Sequence, residues 1–324
     1  MIIHQAIQTM NALGQRRSPF LFIIDFEMRQ PIIIPNPFEQ DRFLFEINGL
    51  KNHQIIPKKL SQPINLDKFP IPFAQYEQAF NYCKQQMKYG NSYLLNLTFP
   101  TRIDLNLSLS DVFHHSKAKY KLLNHNKFVC FSPETFIQIK DGIISSNPMK
   151  GTISTQIQNA EQVILNNKKE MAEHNTIVDF IRNDLNMVAK KVHVERFRYI
   201  DRIQTNEGEL LQVSSKITGQ LPDDYLSKIG DILIKLLPGG SISGAPKQKT
   251  LEIIRQAEQY KRGYYTGVFG YFDGQNLDSA VMIRFIEKKK QEYFFKSGGG
   301  ITYQSKAKEE YQELIDKVYL PIIN

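Results

Sequence analysis

The chain has 324 residues, of which 41% are hydrophobic and 23% are charged, as is usual for a soluble globular protein of one or two domains. Its apolar runs, such as residues 20–24, are far too short to span a bilayer, and residues 1–14 lack the basic flank and apolar block of a signal peptide. We therefore expect a cytoplasmic protein with no membrane partner. Cys83 and Cys130 have no CxxC spacing, which argues against a disulfide framework and a structural zinc site.

The formal net charge is +8 and the isoelectric point is about 9.2, which are values that nucleic-acid-binding proteins often show. The basic residues are dispersed, however, and the longest run, residues 288–290, is predicted to form a hairpin tip. We expect no nucleic-acid partner, because positive charge also attracts small acidic substrates. A non-catalytic basic scaffold or nucleic-acid binder remains the alternative of a different class, and it predicts salt-dependent binding to a polyanion without any need for magnesium.

Apolar periodicity and turn signals predict an α+β protein, because strands occur in runs with helices inserted between them. Residues 1–72 are predicted to form strands followed by a proline-rich crossing segment. After residue 72, the predicted helices are residues 76–90, 159–190, 225–236, 247–260 and 306–318. The predicted strands in the same part of the chain are residues 93–99, 127–139, 142–147, 265–272, 279–286 and 292–296.

Lys150 lies in the segment Pro148-Met149-Lys150-Gly151-Thr152, which predicts a turn that holds a lysine between proline and glycine. A side-chain amine that is held in place can act as a nucleophile. Most of the 41 lysines and arginines must be solvated, so the segment alone is weak support for such a role.

Two predicted helices each carry carboxylates on one face. Glu170 and Glu173 are three positions apart in the first, and Glu310, Glu313 and Lys317 have helical spacing in the second. If the two helices face each other, four carboxylates converge. Such a cluster suits a hard cation, because Mg²⁺ is usually held by one or two carboxylates together with substrate oxygens and water. For either helix alone, an ordinary solvated surface is the simpler interpretation.

Two glycine clusters could bind anions. Residues 239–247 are predicted to open a helix, whose free N–H groups and dipole favour a carboxylate or phosphate. Gly239 and Gly244 have P-loop spacing, but alanine and proline stand where that motif needs lysine and serine or threonine. Residues 298–300 would let a ligand approach bare backbone, and Arg284 offers a bidentate fork for a carboxylate. A tight turn is the alternative for each cluster.

Taken together, these segments closely resemble the chorismate-utilising enzymes, and within that family component I of the aminodeoxychorismate synthases, which act in folate and para-aminobenzoate biosynthesis. The matching segments occur in the family's order. They are SPE (132–134), PMKGT (148–152), KEMAEH (169–174), RNDL (182–185), residues 238–247, IR (283–284), GGG (298–300) and EYQE (310–313) followed by Lys317.

The resemblance implies antiparallel sheets that pack together and are flanked by helices. It further implies a chorismate-binding catalytic core at residues 73–324, on which residues 1–72 pack as a strand-rich segment that is truncated relative to the family. The truncation would remove the region that binds tryptophan in anthranilate synthases, so we expect no feedback by tryptophan.

By motif position, the resemblance makes Glu173 and Glu313 ligands of Mg²⁺, with Glu170 and Glu310 in support. The metal would hold the ring carboxylate of chorismate, and Tyr265 and Arg284 would bind the enolpyruvyl carboxylate. The residues expected to help hold the ring carboxylate are Gly151, Thr152, Gly298, Gly299, Gly300 and Lys317.

The resemblance also makes Lys150 the residue that separates two reactions. Relatives that make anthranilate usually have alanine there, and ammonia adds directly to C2 of the ring. In aminodeoxychorismate synthases the lysine is proposed to attack C2 and expel the 4-hydroxyl, after which ammonia enters at C4. Hydroxide needs a proton to leave, and Glu134 is the candidate donor. The amine must be neutral, and lowering its pKa from about 10.4 to about 7 to 8 requires roughly 3 to 4 kcal/mol.

The ammonia is expected from a glutamine amidotransferase subunit, component II, because neither cysteine lies in a nucleophile-elbow context.

Two further positions bear on the reaction. Isochorismate and salicylate synthases use a lysine to activate water where this chain has Leu94, which disfavours addition of water. The usual His-Leu-Val-Ser segment reads Leu211-Gln212-Val213-Ser214, so Gln212 either substitutes for a ring-contacting histidine or the position is dispensable. Anthranilate synthase component I is the nearest alternative.

Overall fold

The structure is a computed structural model, and it describes residues 1–55, 57, 60, 62–205 and 208–322, with the backbone alone at residues 152, 169, 203–205 and 208. The helices are α1 (Ile3–Gln15), α2 (Phe73–Lys88), α3 (Leu109–His115), α4 (Ala160–Asn166), α5 (Lys168–Asn186), α6 (Ile229–Leu236), α7 (Lys247–Glu258) and α8 (Ala307–Asp316). Two short 3₁₀ helices occupy Tyr225–Lys228 and Gly240–Ile242. Within the described residues, no helix has the length and apolar content that crossing a membrane requires.

In the described part of the chain, eighteen strands form two antiparallel sheets. They are β1 (Phe20–Ile24), β2 (Ile32–Pro35), β3 (Phe43–Ile47), β4 (Leu50–Lys51), β5 (Leu66–Phe69), β6 (Leu94–Leu105), β7 (Tyr120–Asn124), β8 (Phe128–Ser132), β9 (Thr135–Lys140), β10 (Ile143–Ser146), β11 (Met149–Ser154), β12 (Lys190–Thr205), β13 (Gly208–Gln220), β14 (Gly244–Ala245), β15 (Val268–Phe272), β16 (Leu277–Val281), β17 (Phe285–Lys289) and β18 (Glu292–Thr302).

The first sheet has the strand order β11-β13-β10-β9-β16-β15-β1-β2, with β12 paired to β13. The second has the order β14-β6-β18-β17-β8-β7-β3-β4, with β5 paired to β6. The α+β fold of packed antiparallel sheets is therefore confirmed. The β17–β18 hairpin places residues 288–290 at its tip, as predicted.

The two sheets pack face to face because their central strands are apolar on both faces. In β1, Leu21 and Ile23 join Phe45 and Phe285 of the second sheet in one buried cluster between the sheets. The alternate side chains of β1, including Phe22, point to the opposite face and join a cluster with residues of α1, α5 and α6. Another cluster joins α2, α7 and α8 to the outer face of β6. Helices thus cover both outer faces of the paired sheets.

Some predictions about secondary structure were wrong, and one long hairpin was not predicted. Residues 3–15 form the helix α1 rather than a strand, with Ala6 and Met10 buried against the first sheet. The helix predicted over residues 159–190 is two helices, because Asn167 has extended φ and ψ and its side chain accepts a hydrogen bond from the Glu170 N–H as the N-cap of α5. The long β12–β13 hairpin was not anticipated.

Residues 1–72 share both sheets with the rest of the chain. The strand β1 pairs with β15 in the first sheet, and β3 pairs with β7 in the second. Because these pairings continue the two sheets, the strands of residues 1–72 bury side chains in the same clusters as the later strands.

Candidate active site

A cavity of about 370 Å³ lies between α5 and α8, at one end of the paired sheets. Its walls come from β6, β11, β18, the 3₁₀ helix at residues 240–242 and the loops before β9, β15 and β17. The sequence-predicted residues that line it are Glu134, Lys150, Gly151, Glu170, Glu173, Tyr265, Arg284, Gly298, Gly299, Gly300, Glu310, Glu313 and Lys317. The side chain of Thr152 lies outside the described part of the structure.

Lys150 lies in the strand β11 and not in a turn, so that prediction was wrong. Met149 and Lys150 pair with Ser214 and Val213 of β13. The register then shifts between Lys150 and Thr152, where Gly151 has φ +77°, a conformation that favours glycine. This β-bulge makes the backbone irregular directly beside Lys150.

The Lys150 ammonium faces the carboxylates of α5. Its Nζ lies 3.2 Å from Oε2 of Glu173. Burial lowers the pKa of Lys150, but the carboxylates of Glu173, Glu170 and Glu313 raise it by more, so its pKa is above the ordinary value. The lowered pKa that a neutral nucleophile needs is therefore absent in the free chain, and it depends on neutralisation of these carboxylates.

The position of α5 is fixed by a buried histidine next to Glu173. His174 is 1% exposed, and its Nε2 lies 2.6 Å from Oγ of Ser215 in β13. Burial lowers the pKa of His174 to about 4, so its ring is neutral. Because β13 also pairs with β11, this hydrogen bond sets Glu173 opposite Lys150.

Glycines in β18 allow the carboxylates of α8 to approach the sheet. A Cβ at Gly299 would lie 3.3 Å from Glu310 Oε2 and 3.5 Å from Glu313 Oε1, and one at Gly300 would lie 3.8 Å from Lys150 Nζ. The three glycines are part of the strand itself and do not form a loop after it, as the sequence had suggested. Bare backbone therefore separates the amine of β11 from the carboxylates of α8.

The predicted convergence of the two acidic helices is confirmed, since Glu170, Glu173, Glu310 and Glu313 line one cavity. Among the described residues, however, no three acidic, histidine or cysteine side chains form a group that could hold a metal ion. The carboxylates of the cavity can therefore supply one or two of the ligands of Mg²⁺, with substrate oxygens and water as the others. They do not form a complete set of protein ligands by themselves.

Glu134 also lines the cavity, and it is bound by a residue that the sequence did not single out. The Ser241 Oγ donates a hydrogen bond of 2.8 Å to Glu134 Oε1. Burial raises the pKa of Glu134 above its ordinary value, although the Ser241 hydrogen bond and the charges of Lys150, Lys317 and Arg284 act in the other direction. A carboxyl group that holds its proton more tightly than usual is suited to act as a general acid.

The glycine-rich stretch of residues 239–247 contributes to the cavity in a different way from the prediction. The cavity is lined by Gly240 to Gly244, whereas α7 begins only at Lys247, so the N-terminus of α7 does not line it. Gly244, at φ +134°, pairs with Leu95 of β6, where any Cβ would clash with the backbone.

Arg284 and Lys317 supply positive charge to the cavity. Arg284 lies just before β17, and its buried Nε has no hydrogen-bond partner among the described residues. Lys317 follows α8 and donates a hydrogen bond of 2.8 Å to the Gly298 carbonyl. Tyr265 is 4% exposed and lines the same cavity as Arg284. Arg284 can bind a carboxylate in a bidentate way, whereas Lys317 lies 2.5 Å from Oε1 of Glu313 and so stays beside the acidic helix α8.

Leu94 and Gln212 also line the cavity. Leu94 is 5% exposed, and a Cβ on Gly300 would lie 3.3 Å from its Cδ1. An apolar side chain at this position cannot remove a proton from water. Gln212 pairs with Thr152 across β13 and β11, next to the bulge at Gly151.

A buried ion pair that the sequence analysis missed joins several walls of the cavity. Arg262 and Glu258 are each 1% exposed in their side chains and form a bidentate pair, with nitrogen-to-oxygen distances of 2.9 and 2.6 Å. Arg262 also donates hydrogen bonds to the carbonyl oxygens of Asn96 and Ile242, and to Oγ1 of Thr266. These contacts join β6, the 3₁₀ helix and the loop that carries Tyr265.

We expect Arg262→Met to destabilise the protein by about 3 to 5 kcal/mol, because it leaves the Glu258 carboxylate buried without its partner. Urea unfolding measures the change. As a control, Arg182→Ala breaks an exposed ion pair with Asp179 and is expected to change stability by about 0.5 kcal/mol or less. A loss below about 1 kcal/mol in Arg262→Met would contradict a structural role for the pair.

Comparison with known proteins identifies the family. The sequence profile of the chorismate binding enzymes matches residues 36–322. The chain belongs to this family. It is 53% identical to an "Uncharacterized PabA-like protein" of Haemophilus influenzae, over 98% of this chain and 96% of that protein. It is 30% identical to aminodeoxychorismate synthase component 1 of Bacillus subtilis, over 80% of this chain and 57% of that protein.

Other chorismate-binding enzymes are also similar to the chain. Anthranilate synthase component 1 of Aquifex aeolicus is 33% identical over 59% of this chain and 39% of that protein. The solved structure of the menaquinone-specific isochorismate synthase from Escherichia coli matches with a TM-score of 0.76, over 98% of this chain and 81% of that one, at 16% identity. The structural match shows that this chain and the isochorismate synthase have the same fold. The family match identifies the protein as a chorismate-utilising enzyme.

Proposed function

We propose that the chain is component I of an aminodeoxychorismate synthase, which converts chorismate and ammonia to 4-amino-4-deoxychorismate. The observation that carries the proposal is Lys150, whose Nζ lies inside the cavity, 3.2 Å from Glu173 and next to the glycines of β18. An amine at this position can attack the ring, whereas a smaller side chain would leave that space to ammonia. The product would enter folate and para-aminobenzoate biosynthesis.

The reaction needs a nucleophile and an acid in one cavity, and Lys150 and Glu134, which line the same cavity, support the proposal. The neutral amine of Lys150 forms a bond to C2, both conjugated double bonds of the ring shift, and the C4–O bond breaks with its electron pair on oxygen. Glu134 donates the proton that converts this oxygen to water. Ammonia then bonds to C4, both double bonds shift back, and the amine of Lys150 leaves C2 with the electron pair of its bond.

The charges in the cavity favour a divalent cation. Besides Glu134, which acts in its uncharged acid form, the described lining has four carboxylates, and its four cationic side chains include Lys296, which is paired with Glu287 outside the cavity. A substrate with two carboxylates would add negative charge to this acidic surplus. We propose that Glu173 and Glu313, with Glu170 and Glu310 in support, hold Mg²⁺, which when bound supplies positive charge for a substrate carboxylate. Lys317 and the backbone of Gly151 and of Gly298–Gly300 would bind the ring carboxylate, and Arg284 and Tyr265 the enolpyruvyl carboxylate.

The ammonia would come from a glutamine amidotransferase subunit. Burial raises the pKa of both the Cys83 and Cys130 thiols, so neither side chain of this chain offers a ready thiolate. Free ammonia should support the reaction in the absence of the partner.

The test is to incubate the purified chain with chorismate, Mg²⁺ and ammonium at mildly alkaline pH and to identify the product by chromatography and mass spectrometry. We expect 4-amino-4-deoxychorismate. Formation of anthranilate would overturn the assignment, and formation of isochorismate would overturn amination altogether.

Glu134→Gln is expected to lower kcat by about 10² to 10⁴, the range that general acids contribute. The acid form of Glu134 is present below its raised pKa and is lost as pH rises through it, so wild-type kcat should fall on the alkaline side. Glu134→Gln should lose this dependence. Rates are measured across pH with the concentration of free ammonia held constant.

Ser241→Ala is the matched comparison for Glu134. It removes a hydrogen bond that lowers the pKa of Glu134, so the alkaline fall in kcat should move to higher pH. If Glu134→Gln kept kcat within about threefold of wild type, Glu134 would not be the acid.

A further inference from the structure

We propose that Asp184 passes protons to Glu134 through water in a second, smaller cavity behind the Glu134 side chain. The inference rests on the proposed function in one respect, which is that Glu134 acts as the acid at C4. The residue Asp184 belongs to the RNDL segment of α5, and nothing in the reaction described so far uses it.

The smaller cavity has a volume of about 30 Å³ and lies between α5, β9 and the 3₁₀ helix at residues 240–242. Its lining is mostly apolar, and its polar side chains are those of Glu134, Thr135, Ser146, Asp184 and Ser241. A space of this size accommodates about one or two water molecules, each of which needs several polar partners. The two carboxyl groups and the serine hydroxyls supply such partners, so the cavity fits a short water chain between Glu134 and Asp184.

Glu134 lines both cavities, and so it forms part of the wall between them. A substrate that fills the larger cavity would restrict the access of water to Glu134 from that side. The smaller cavity offers a second path by which Glu134 can return to the acid form after it has given up its proton. The smaller cavity is on the side that substrate leaves open.

Asp184 connects this path to solvent. Its side chain is 18% exposed, and Lys247 Nζ donates a hydrogen bond of 2.9 Å to its Oδ1. Lys247 also donates to the Leu236 carbonyl, and the Gly240 N–H donates to Asp184, so the carboxylate is held in place. The charged groups near the two carboxyls are Lys247 beside Asp184, and Lys150, Lys317 and Arg284 around Glu134.

The two carboxyl groups are suited to exchange a proton. Burial raises the pKa of Glu134 and also that of Asp184, and nearby positive charge acts against burial at both. A raised pKa makes the acid form of each group easier to populate, and a relay needs that form at both positions.

The proton balance is complete without any further reactant. Breaking of the C4–O bond leaves its electron pair on oxygen, and the Glu134 proton converts that oxygen to water. The Glu134 carboxylate then takes a proton from water in the smaller cavity, that water takes one from Asp184, and Asp184 takes one from solvent. Each step moves one proton between oxygens.

Asp184→Asn tests the relay, because asparagine can still accept the hydrogen bond from Lys247 but cannot release a proton. We expect kcat for chorismate consumption to fall roughly tenfold or more, with KM within about twofold of wild type. The solvent deuterium isotope effect on kcat should rise. Imidazole buffer, varied at fixed pH, ionic strength and ammonium, should restore part of kcat by supplying protons directly.

Asp179→Asn is the control, because it removes a carboxylate from the exposed face of the same helix, 65% exposed and paired with Arg182. It should change neither kcat nor the isotope effect. A purely structural role for Asp184 would lower kcat without rescue by imidazole and without a larger isotope effect, and that result would overturn the relay. So would an Asp184→Asn chain that is fully active.

Two features separate failure of the relay from failure of the proposed function. Chorismate consumption is the measured quantity, and loss of the C4 hydroxyl needs a proton whether the product is the 4-amino compound or anthranilate. The second feature is the infrared spectrum of the chain alone. The protonated-carboxyl band that Glu134→Gln removes should shift in Asp184→Asn and not in Asp179→Asn, and an unshifted band would overturn the coupling of the two groups.

Discussion

Lys150→Ala is expected to lower the rate of 4-amination of chorismate by at least about 10³-fold, because it removes an amine that is held in place against the substrate. The rate is measured as formation of the 4-amino product at a fixed concentration of free ammonia. Exposed Lys306→Ala, which breaks a surface pair with Glu309, is the control and should be unaffected. Full amination activity in Lys150→Ala would show that ammonia attacks without help from the protein.

Lys150→Arg separates nucleophilic attack from electrostatics. Arginine keeps the positive charge near Glu173 but has no neutral amine at any pH that the protein tolerates. We expect it to be as inactive as Lys150→Ala. If Lys150→Arg kept a large part of the activity of the wild type, Lys150 would act through its charge alone.

Glu173→Gln and Glu313→Gln are each expected to lower Mg²⁺-dependent turnover by at least about 10²-fold, because each removes a charged ligand from the proposed cation site. Half-saturation for Mg²⁺ should shift upward where activity remains. The binding of Mg²⁺ in the presence of chorismate, measured by calorimetry, provides a readout that does not depend on turnover.

Glu309→Gln is the matched control for the metal site. Glu309 is next to Glu310 in α8, but its side chain is 58% exposed and does not line the larger cavity. It should keep both Mg²⁺ affinity and turnover. Undiminished turnover in Glu173→Gln, with the chain folded, would refute a role for that carboxylate in holding the cation.

The parts of the site that were predictable from sequence are those set by local geometry. The helical spacing of Glu170 with Glu173, and of Glu310 with Glu313, placed each pair on one face, and the structure confirms that both faces line one cavity. The order of the motifs along the chain, which is that of the chorismate-utilising enzymes, predicted that the two helices contribute to one site.

The parts that were not predictable depend on contacts between distant residues. Pro148 and Gly151 are local turn signals, but pairing of β11 with residues 210–214 of β13 makes the segment a bulged strand. The bond from Ser241 to Glu134 and the pair of Lys247 with Asp184 likewise join separate parts of the chain, and no periodic pattern in the sequence predicts them.

The pairing of β6 with β18 also determines when the cavity can form during synthesis. This ladder runs from Ile103 opposite Tyr293 to Leu94 opposite Thr302, and so it joins strands from distant parts of the chain. The ribosome synthesises β6 long before β18. The long loop between these two strands must therefore close before Lys150 can contact the glycines of β18. A nascent chain therefore has no complete site for substrate, and ligand cannot guide its early folding. Until β18 emerges, the edge of β6 that it will cover stays open to other chains, which makes this the stage at which chaperone protection matters most.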